Sequence, residues 1–563
     1  MVLAVPANPY IEGNYAPTSE CAPIQLEVEG PVPTELNGAY VRNGPNPVLP
    51  ATGKCNWVDG DGMLHACSIR NGKVTYSSHQ IRTAKLKAEL QQGNAFHLKI
   101  GDVHGMAGLV QLLIHAGLIL TGEVNLKKGI GTANTSVIFH NGRLQALQET
   151  DSPYEIELRR DGSMKTAGRI EIEGRIRQPF TAHPKIDPNS GELFYFDYDL
   201  LQRPLVSVGC LDLHGHLLRE YPVDAVTCAN LMHDFALTEH YIILYESPMK
   251  LDVQHMIQRN AGPFRWHPDE PTRLWVLDRG TQSSAGARCY IVNKAMNFMH
   301  TAAAFELGST LYLYATAQTH FDMASADGTH LWGHQKHLPH QPQLYEFQLD
   351  LDHAGHGTNP ASVSLAAQVS SRAAGSAAGT DGAAAVPKEE ALIAGRAWQP
   401  HTTMTKAARF SLLAPEYSSD MPVISKACYG LRTRFIYAAT LGCEDGITFT
   451  SLLKYDLEAH PGHMVVGQID LGGPEFVGGE PSFVPMGPEE PPGALEEDAG
   501  YLVLYVHDMT KHETWLVIYN AQTFSSEPVA RAKIPGRIPY GFHGLHISGK
   551  ELAMQKCWNS NSS

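Results

Sequence analysis

The feature that most constrains the fold is a recurrent short run of β-branched and aromatic residues, cut at each end by Gly, Pro, Asn or Asp. Glu192–Asp199 (ELFYFDYD), Tyr241–Pro248 (YIILYESP), Arg273–Gly280 (RLWVLDRG), Tyr501–Asp508 (YLVLYVHD) and Thr514–Thr523 (TWLVIYNAQT) are all of this kind. Each is shorter than a typical globular helix and the right length for a strand. Asn-Gly at 71–72 and 141–142, and Asp-Gly at 59–60, 61–62 and 161–162, fall between such runs as hairpin turns require. Many short strands with little helical periodicity predict an all-β chain closed on itself, as a barrel or a propeller. No strict repeat is visible, so a blade count cannot be read from the residues. A length of 563 residues suggests three or four domains on average, but closed β architectures escape that rule.

Two segments break the pattern. Gly105–Gly122 (GMAGLVQLLIHAGLILTG) is strongly apolar and of helix length. It is too short to span a bilayer, and reads as a buried helix or one lying in a membrane interface. Residues 353–397 are rich in Ala, Gly and Ser. Such a composition buries too little apolar surface to offset its ordering entropy, so a disordered surface insertion is expected.

Charge and cysteine use narrow the function. The formal net charge of −15 argues against a nucleic-acid partner. Nine cysteines with no close pair read as reduced thiols. The N-terminal residues lack the features of a signal or transit peptide. The expected location is cytoplasmic, with peripheral membrane contact left open through the apolar segment.

Histidine is abundant, at 28 residues. His183 (FTAHPK), His233 (LMHDFALT), His300 (NFMHTAAAFE) and His543 (YGFHGLHI) each stand beside apolar or aromatic residues in strand-like or turn contexts. Imidazoles carried in on separate strands of a closed β structure can converge on its axis, and such neutral nitrogens suit iron, zinc or copper. A rival set is closer together: His330, His334, His337 and His340 in HLWGHQKHLPH. Gly333 and Pro339 interrupt any helix there, which favours an exposed loop. Spacing alone does not choose between these sets.

Motifs running nearly the length of the chain add what spacing does not. NYAP (14–17), GAYVRNGPNP (38–47), WVDGDGMLH (57–65) and GTANTSVIFHNGRLQALQETDSPYEI (131–156) are followed by FTAHPKIDP (180–188), LMHDFALTEHY (231–241), EPSFVP (480–485) and IPYGFHG (538–544). In this order they resemble the carotenoid cleavage oxygenase family, which includes stilbene-cleaving dioxygenases and a retinoid isomerase. The resemblance implies one domain over 1–563, a seven-bladed β-propeller with a small helical cap. It implies Fe(2+) held by His183, His233, His300 and His543, with Glu149, Asp420 and Glu480 hydrogen-bonded to ligand rings. The reaction implied is cleavage of a C=C bond in a carotenoid or apocarotenoid by O2, giving two carbonyl products. Phe235, Phe305 and Phe542, each near a ligand histidine, are candidate walls for the apolar polyene, with ordinary core packing as the alternative.

Three positions depart from the family pattern. Asp420 stands where a Glu is usual and is one methylene shorter, which implies a stretched or water-mediated bond to its ring. Ala303 replaces an Asn beside the third histidine. Gln148 stands where stilbene-cleaving members carry a Lys, which favours a polyene over a stilbene or lignostilbene. A catalytically silent propeller that binds apolar ligands is the alternative from another class. Oligomeric state is not legible.

Overall fold

The chain is described by a computed structural model covering residues 8–50, 54–175, 177, 179–321, 341–351, 405–442, 448–473, 475–487 and 496–556. The expected insertion at 353–397 and the His330–His340 cluster lie outside the described residues. The five β-like runs become strands Leu193–Tyr198, Tyr241–Glu246, Thr272–Asp278, Gly500–Asp508 and Glu513–Asn520.

The Asn-Gly pairs make the predicted hairpins. Asn71 and Gly72 take φ of 50° and 75° between paired strands Gly62–Arg70 and Lys73–Gln80, the left-handed conformation that a two-residue turn needs to follow strand twist. Asn141 and Gly142 repeat this, at 55° and 66°, between Ser136–His140 and Arg143–Leu147. The Asp-Gly pair at 161–162 joins Tyr154–Leu158 to Met164–Arg169. Those at 59–60 and 61–62 are not hairpin turns. Asp59 closes a 3-10 turn, Trp57–Asp59, and its carboxylate accepts from the backbone N–H groups of Asn56, Ile100 and Gly101.

The strands assemble into a seven-bladed propeller of four- to six-stranded sheets, plus a two-stranded ribbon of Met249–Leu251 with Phe264–Trp266. Blades are numbered along the chain. Their inner strands are Gly544–Ser548 (blade 1), Ser136–His140 (blade 2), Lys185–Ile186 (blade 3), Ala236–Leu237 (blade 4), Asn297–Leu307 (blade 5), Asp420–Val423 (blade 6) and Ser482–Pro485 (blade 7). Inner strands of neighbouring blades touch: Ala236–Leu237 lies on Asn297–Leu307, which lies on Asp420–Val423, and Gly544–Ser548 meets both Ser482–Pro485 and Ser136–His140.

Each gap between adjacent blades holds its own hydrophobic core. Leu193 and Tyr195 point into the core shared by blades 2 and 3, while Phe194 and Phe196, on the same strand, point into that of blades 3 and 4. Alternate side chains therefore enter different cores. This is why the runs read as continuously apolar rather than alternating. The ring closes at both ends of the chain: Gly544–Ser548 pairs with Gly38–Pro45, and Val28–Glu29 pairs with Ala530–Lys533 at the outer side of blade 7.

Four α-helices occur among the described residues. Helices α1 (Ala84–Gln92) and α2 (Gly105–Thr121) lie in the connection from blade 1 to blade 2, and α3 (Val253–Arg259), within blade 4, packs against α2. Because successive strands alternate in direction, these connections share the end of the ring at which inner strands begin. They form the expected cap. The apolar segment is thus helix α2, ended by Gly122 at φ 82°, a left-handed cap that glycine adopts without strain. Helix α4 (Gly549–Ala553) follows the last strand, at the opposite end.

Candidate metal centre

His183, His233 and His543 stand just ahead of the inner strands of blades 3, 4 and 1, and His300 lies within that of blade 5. They therefore occupy the same, capped end of the axis. His300 sits inside an irregular stretch, with one register shift spanning it between Phe298 and Thr301 and a second just after it between Thr301 and Ala303. A bulge of this kind re-aims a side chain, and here it turns the ring inward.

The four rings meet. One nitrogen from each lies within 4.8 Å of all the others, and Nε2 of His183 is 3.1 Å from Nε2 of His233. Metal–imidazole bonds of about 2.1 Å would place neighbouring ligand nitrogens about 3 Å apart, so the arrangement has the size of one coordination sphere.

Three carboxylates orient three of the rings. Glu149 Oε1 lies 2.9 Å from His233 Nδ1, Asp420 Oδ1 2.7 Å from His300 Nδ1, and Glu480 Oε1 3.0 Å from His543 Nδ1. An ionised carboxylate can only accept, so each Nδ1 carries the proton and each Nε2 presents a lone pair. Consistent with this, His300 Nε2 is buried without a hydrogen-bond partner. Burial raises the carboxyl of Glu149, but the hydrogen bond and charge of His233, with smaller contributions from a backbone N–H and His543, together outweigh it and the group sits below its ordinary value. Asp420 is likewise lowered: against burial, His300 acts by charge and hydrogen bond. His183 is held well below the usual imidazole range, first by burial and then by the other three histidines. It is neutral and able to ligate.

The bond from Asp420 is direct, against the expectation of a stretched or bridged contact. A register irregularity between Asp420 and Val423, with Met421 at φ 53°, shapes the backbone here. The Thr316 hydroxyl, 2.8 Å from the same Oδ1, steadies it. Ala303 packs among Phe305, Tyr314 and Ile436. Gln148 uses its amide oxygen within its own loop, accepting from Thr150 N at 3.1 Å and Thr150 Oγ1 at 2.6 Å.

The three phenylalanines are dispersed. Phe235 is buried in the core between blades 3 and 4, Phe305 in that between blades 5 and 6, and Phe542 packs at a tilt against Trp57 with ring centroids 4.4 Å apart. A cavity of about 450 Å³ runs along the axis from His183, His300 and His543 towards Lys185, Lys426 and Glu551, away from the cap. None of the three phenylalanines lines it.

The sequence reading missed a fourth carboxylate, Asp234. It adjoins His233 and bonds to Lys185 and Thr301, residues that follow two other histidines. The only signal was its place in the LMHDF motif. Burial opposes its ionisation, but the Lys185 ammonium keeps it below the ordinary carboxylate range.

Comparison with known proteins agrees with this architecture. The profile of the retinal pigment epithelial membrane protein family (RPE65) matches residues 15–548. The carotenoid 9,10(9',10')-cleavage dioxygenase 1 of Phaseolus vulgaris is 30% identical over 557 residues, covering 97% of this chain and 90% of the relative. The 9-cis-epoxycarotenoid dioxygenase NCED1 of Oryza sativa subsp. japonica is 31% identical, covering 98% and 77%. Among solved structures, a lignostilbene dioxygenase of Pseudomonas brassicacearum superposes with a TM-score of 0.72 at 23% identity, covering 97% of this chain and 100% of that one. A Synechocystis apocarotenoid oxygenase superposes at 0.68 and 22% identity, covering 94% and 97%. On its motifs, its propeller and these matches, the chain belongs to the RPE65 family of carotenoid cleavage oxygenases.

Proposed function

We propose that the chain is a non-haem Fe(2+) dioxygenase that cleaves a C=C bond of a carotenoid or apocarotenoid with O2. Both oxygen atoms end in products: the double bond is replaced by two carbonyl groups. The observation that carries this reading is the convergence of His183, His233, His300 and His543, with protons held on the outer nitrogens of three rings by Glu149, Asp420 and Glu480. Bound ferrous iron would supply the activation of dioxygen. All-nitrogen sets also suit zinc and copper; the dioxygenases among the relatives favour a redox metal.

The protein's own part is positioning. The three acids fix ring orientation, and burial keeps His183 neutral. Phe235, Phe305 and Phe542 remain candidates for shaping the polyene's path, acting through the packed layers around the histidines. Gln148 supports a polyene over a stilbene, because its amide is engaged within its loop and it brings no cation to a phenol oxygen.

A lipid-dissolved substrate calls for membrane contact. Helix α2 on the cap exposes Met106, Val110, Leu113, Ile114 and Leu120, and no helix among the described residues is long and apolar enough to cross a membrane. This supports peripheral docking. The seven described cysteines are all free, which fits a reducing compartment such as the cytoplasm. The described residues form one continuous ring, which supports reading them as a single domain; the insertion expected at 353–397 lies outside the described residues.

The test is metal analysis by mass spectrometry together with oxygen uptake on an apocarotenal, with resveratrol in parallel. Bound iron and two carbonyl products from the apocarotenal are expected. Cleavage of resveratrol alone would move the assignment to the stilbene class, and absence of both iron and oxygen uptake would leave a binding propeller.

A further inference from the structure

We infer that Asp234 and Lys185 are positioning residues for the metal centre: together they fix the strand of His183, the one histidine of the four whose ring no carboxylate reaches among the described residues. The inference deepens the metal-binding reading above and rests on it.

The need for such a device follows from local structure. The inner strand behind His183 has only two residues, Lys185–Ile186, paired with Leu193 and Phe194. Pro184 adds no N–H donor. Beyond that pairing, the segment is held by backbone bonds from Thr181 N to the Phe196 carbonyl and from Asp187 N to the Glu192 carbonyl, by the Ser136 hydroxyl donating to the Ala182 carbonyl, by His183 N–H donating to the Thr181 hydroxyl, and by Arg279 of blade 4 on the Asp187 carboxylate. Of these only Arg279 comes from blade 4 or 5, which deliver the facing imidazoles, and it grips the far end of the strand, four residues beyond His183.

Asp234 makes that connection. Its Oδ1 accepts from Lys185 Nζ at 2.8 Å and from Phe235 N at 2.7 Å. Its Oδ2 accepts from Thr301 N at 2.8 Å, and the Thr301 hydroxyl lies 2.8 Å from the same oxygen. Lys185 follows His183 by two residues, Asp234 follows His233 by one, and Thr301 follows His300 by one. One buried carboxylate thus ties together the backbones behind three histidines on three successive blades. Three of its four bonds reach blades 3 and 5, which leaves little freedom for relative sliding. Breaking one partner of a buried pair leaves the other uncompensated, so the tether resists partial loosening. Glu149, Asp420 and Glu480 orient rings, whereas Asp234 and Lys185 set the spacing between strands.

The experiment titrates the metal-stripped full-length chain with Co²⁺, following visible absorption. Lys185→Met should weaken Co²⁺ binding by about tenfold or more, the scale seen when supports of metal ligands are removed, and should change the absorption spectrum. Lys185→Arg, which keeps the cation and has the axial cavity beside it, should restore most of the affinity. Lys454→Met is the control. It breaks another buried pair, Lys454–Asp498 at 2.6 Å between blades 6 and 7, and should lower thermal stability while leaving affinity and spectrum unchanged. Wild-type affinity and spectrum in Lys185→Met would overturn the inference, as would an equal loss of affinity in Lys454→Met. If Lys185→Met does not fold, Asp234→Asn replaces it: the amide keeps the size of the group but loses its charge, and wild-type affinity there overturns the inference equally. A wild-type chain that takes up no Co²⁺ overturns the metal reading and this inference with it.

Discussion

Asp420 shows how a single methylene is absorbed by backbone shape. With the carboxylate already 2.7 Å from His300 Nδ1 and only 7% of the residue exposed, there is little room for a longer acid. Asp420→Glu should therefore weaken metal retention rather than improve it. Asp420→Ala should lose about 10- to 100-fold in metal affinity through loss of ring orientation. Metal content after dialysis, set against the wild type, checks both. At this scale the histidines and their three acids were legible only through the family motifs, since spacing did not separate them from His330–His340. The register irregularity at Asp420 and the links of Asp234 were not legible. Both depend on which blades stand side by side, and no single stretch of chain records that.

Helix α2 puts an apolar surface where the fold has no core to receive it. Leu113 is 65% exposed and Leu120 88%, while only Gly105 and Gly108 of the helix are buried. Leu113→Glu should abolish co-sedimentation with liposomes and leave metal content unchanged; sedimentation equal to wild type would remove the helix from the docking role. The helix was visible in the sequence because an unbroken apolar stretch of that length stands apart from its surroundings. The long middle strands of the blades were visible for a similar reason, being apolar on both faces. The inner strands were not. Lys185–Ile186 and Ala236–Leu237 have two residues each, too few to show any period, and without them blades cannot be counted.

Across the whole molecule, the seam between blades 1 and 7 holds a buried polar cluster with consequences for acid stability. Arg42 donates to the Pro539 carbonyl and lies 3.3 Å from His507 Nε2, while His65 bonds to Tyr76 at 2.9 Å. His65 and His507 are both held well below the ordinary imidazole value, by burial first and then by the Arg42 charge. Unfolding lets both take up protons near their usual pKa of about 6.5. Stability should thus be full above about pH 6.5 and fall as pH drops below it, because the unfolded chain binds more protons there. Thermal melts between pH 8 and pH 5 would show the slope. Replacing His65 and His507 together should make it shallower in any double variant that still folds, leaving the part due to other buried histidines such as His183 and His546.

The strand that closes the ring also leads directly from His543, and every other inner strand precedes it along the chain. During synthesis, six blades can be translated while only three of the four imidazoles exist. The last one emerges with the segment that zips blade 1 shut, so a nascent chain stalled before residue 543 has neither a sealed circle nor the full set of four imidazoles that could hold a metal. Loading is in this way deferred until translation has passed the seam, and a truncated copy is denied the complete four-histidine centre that the proposed oxygen chemistry requires.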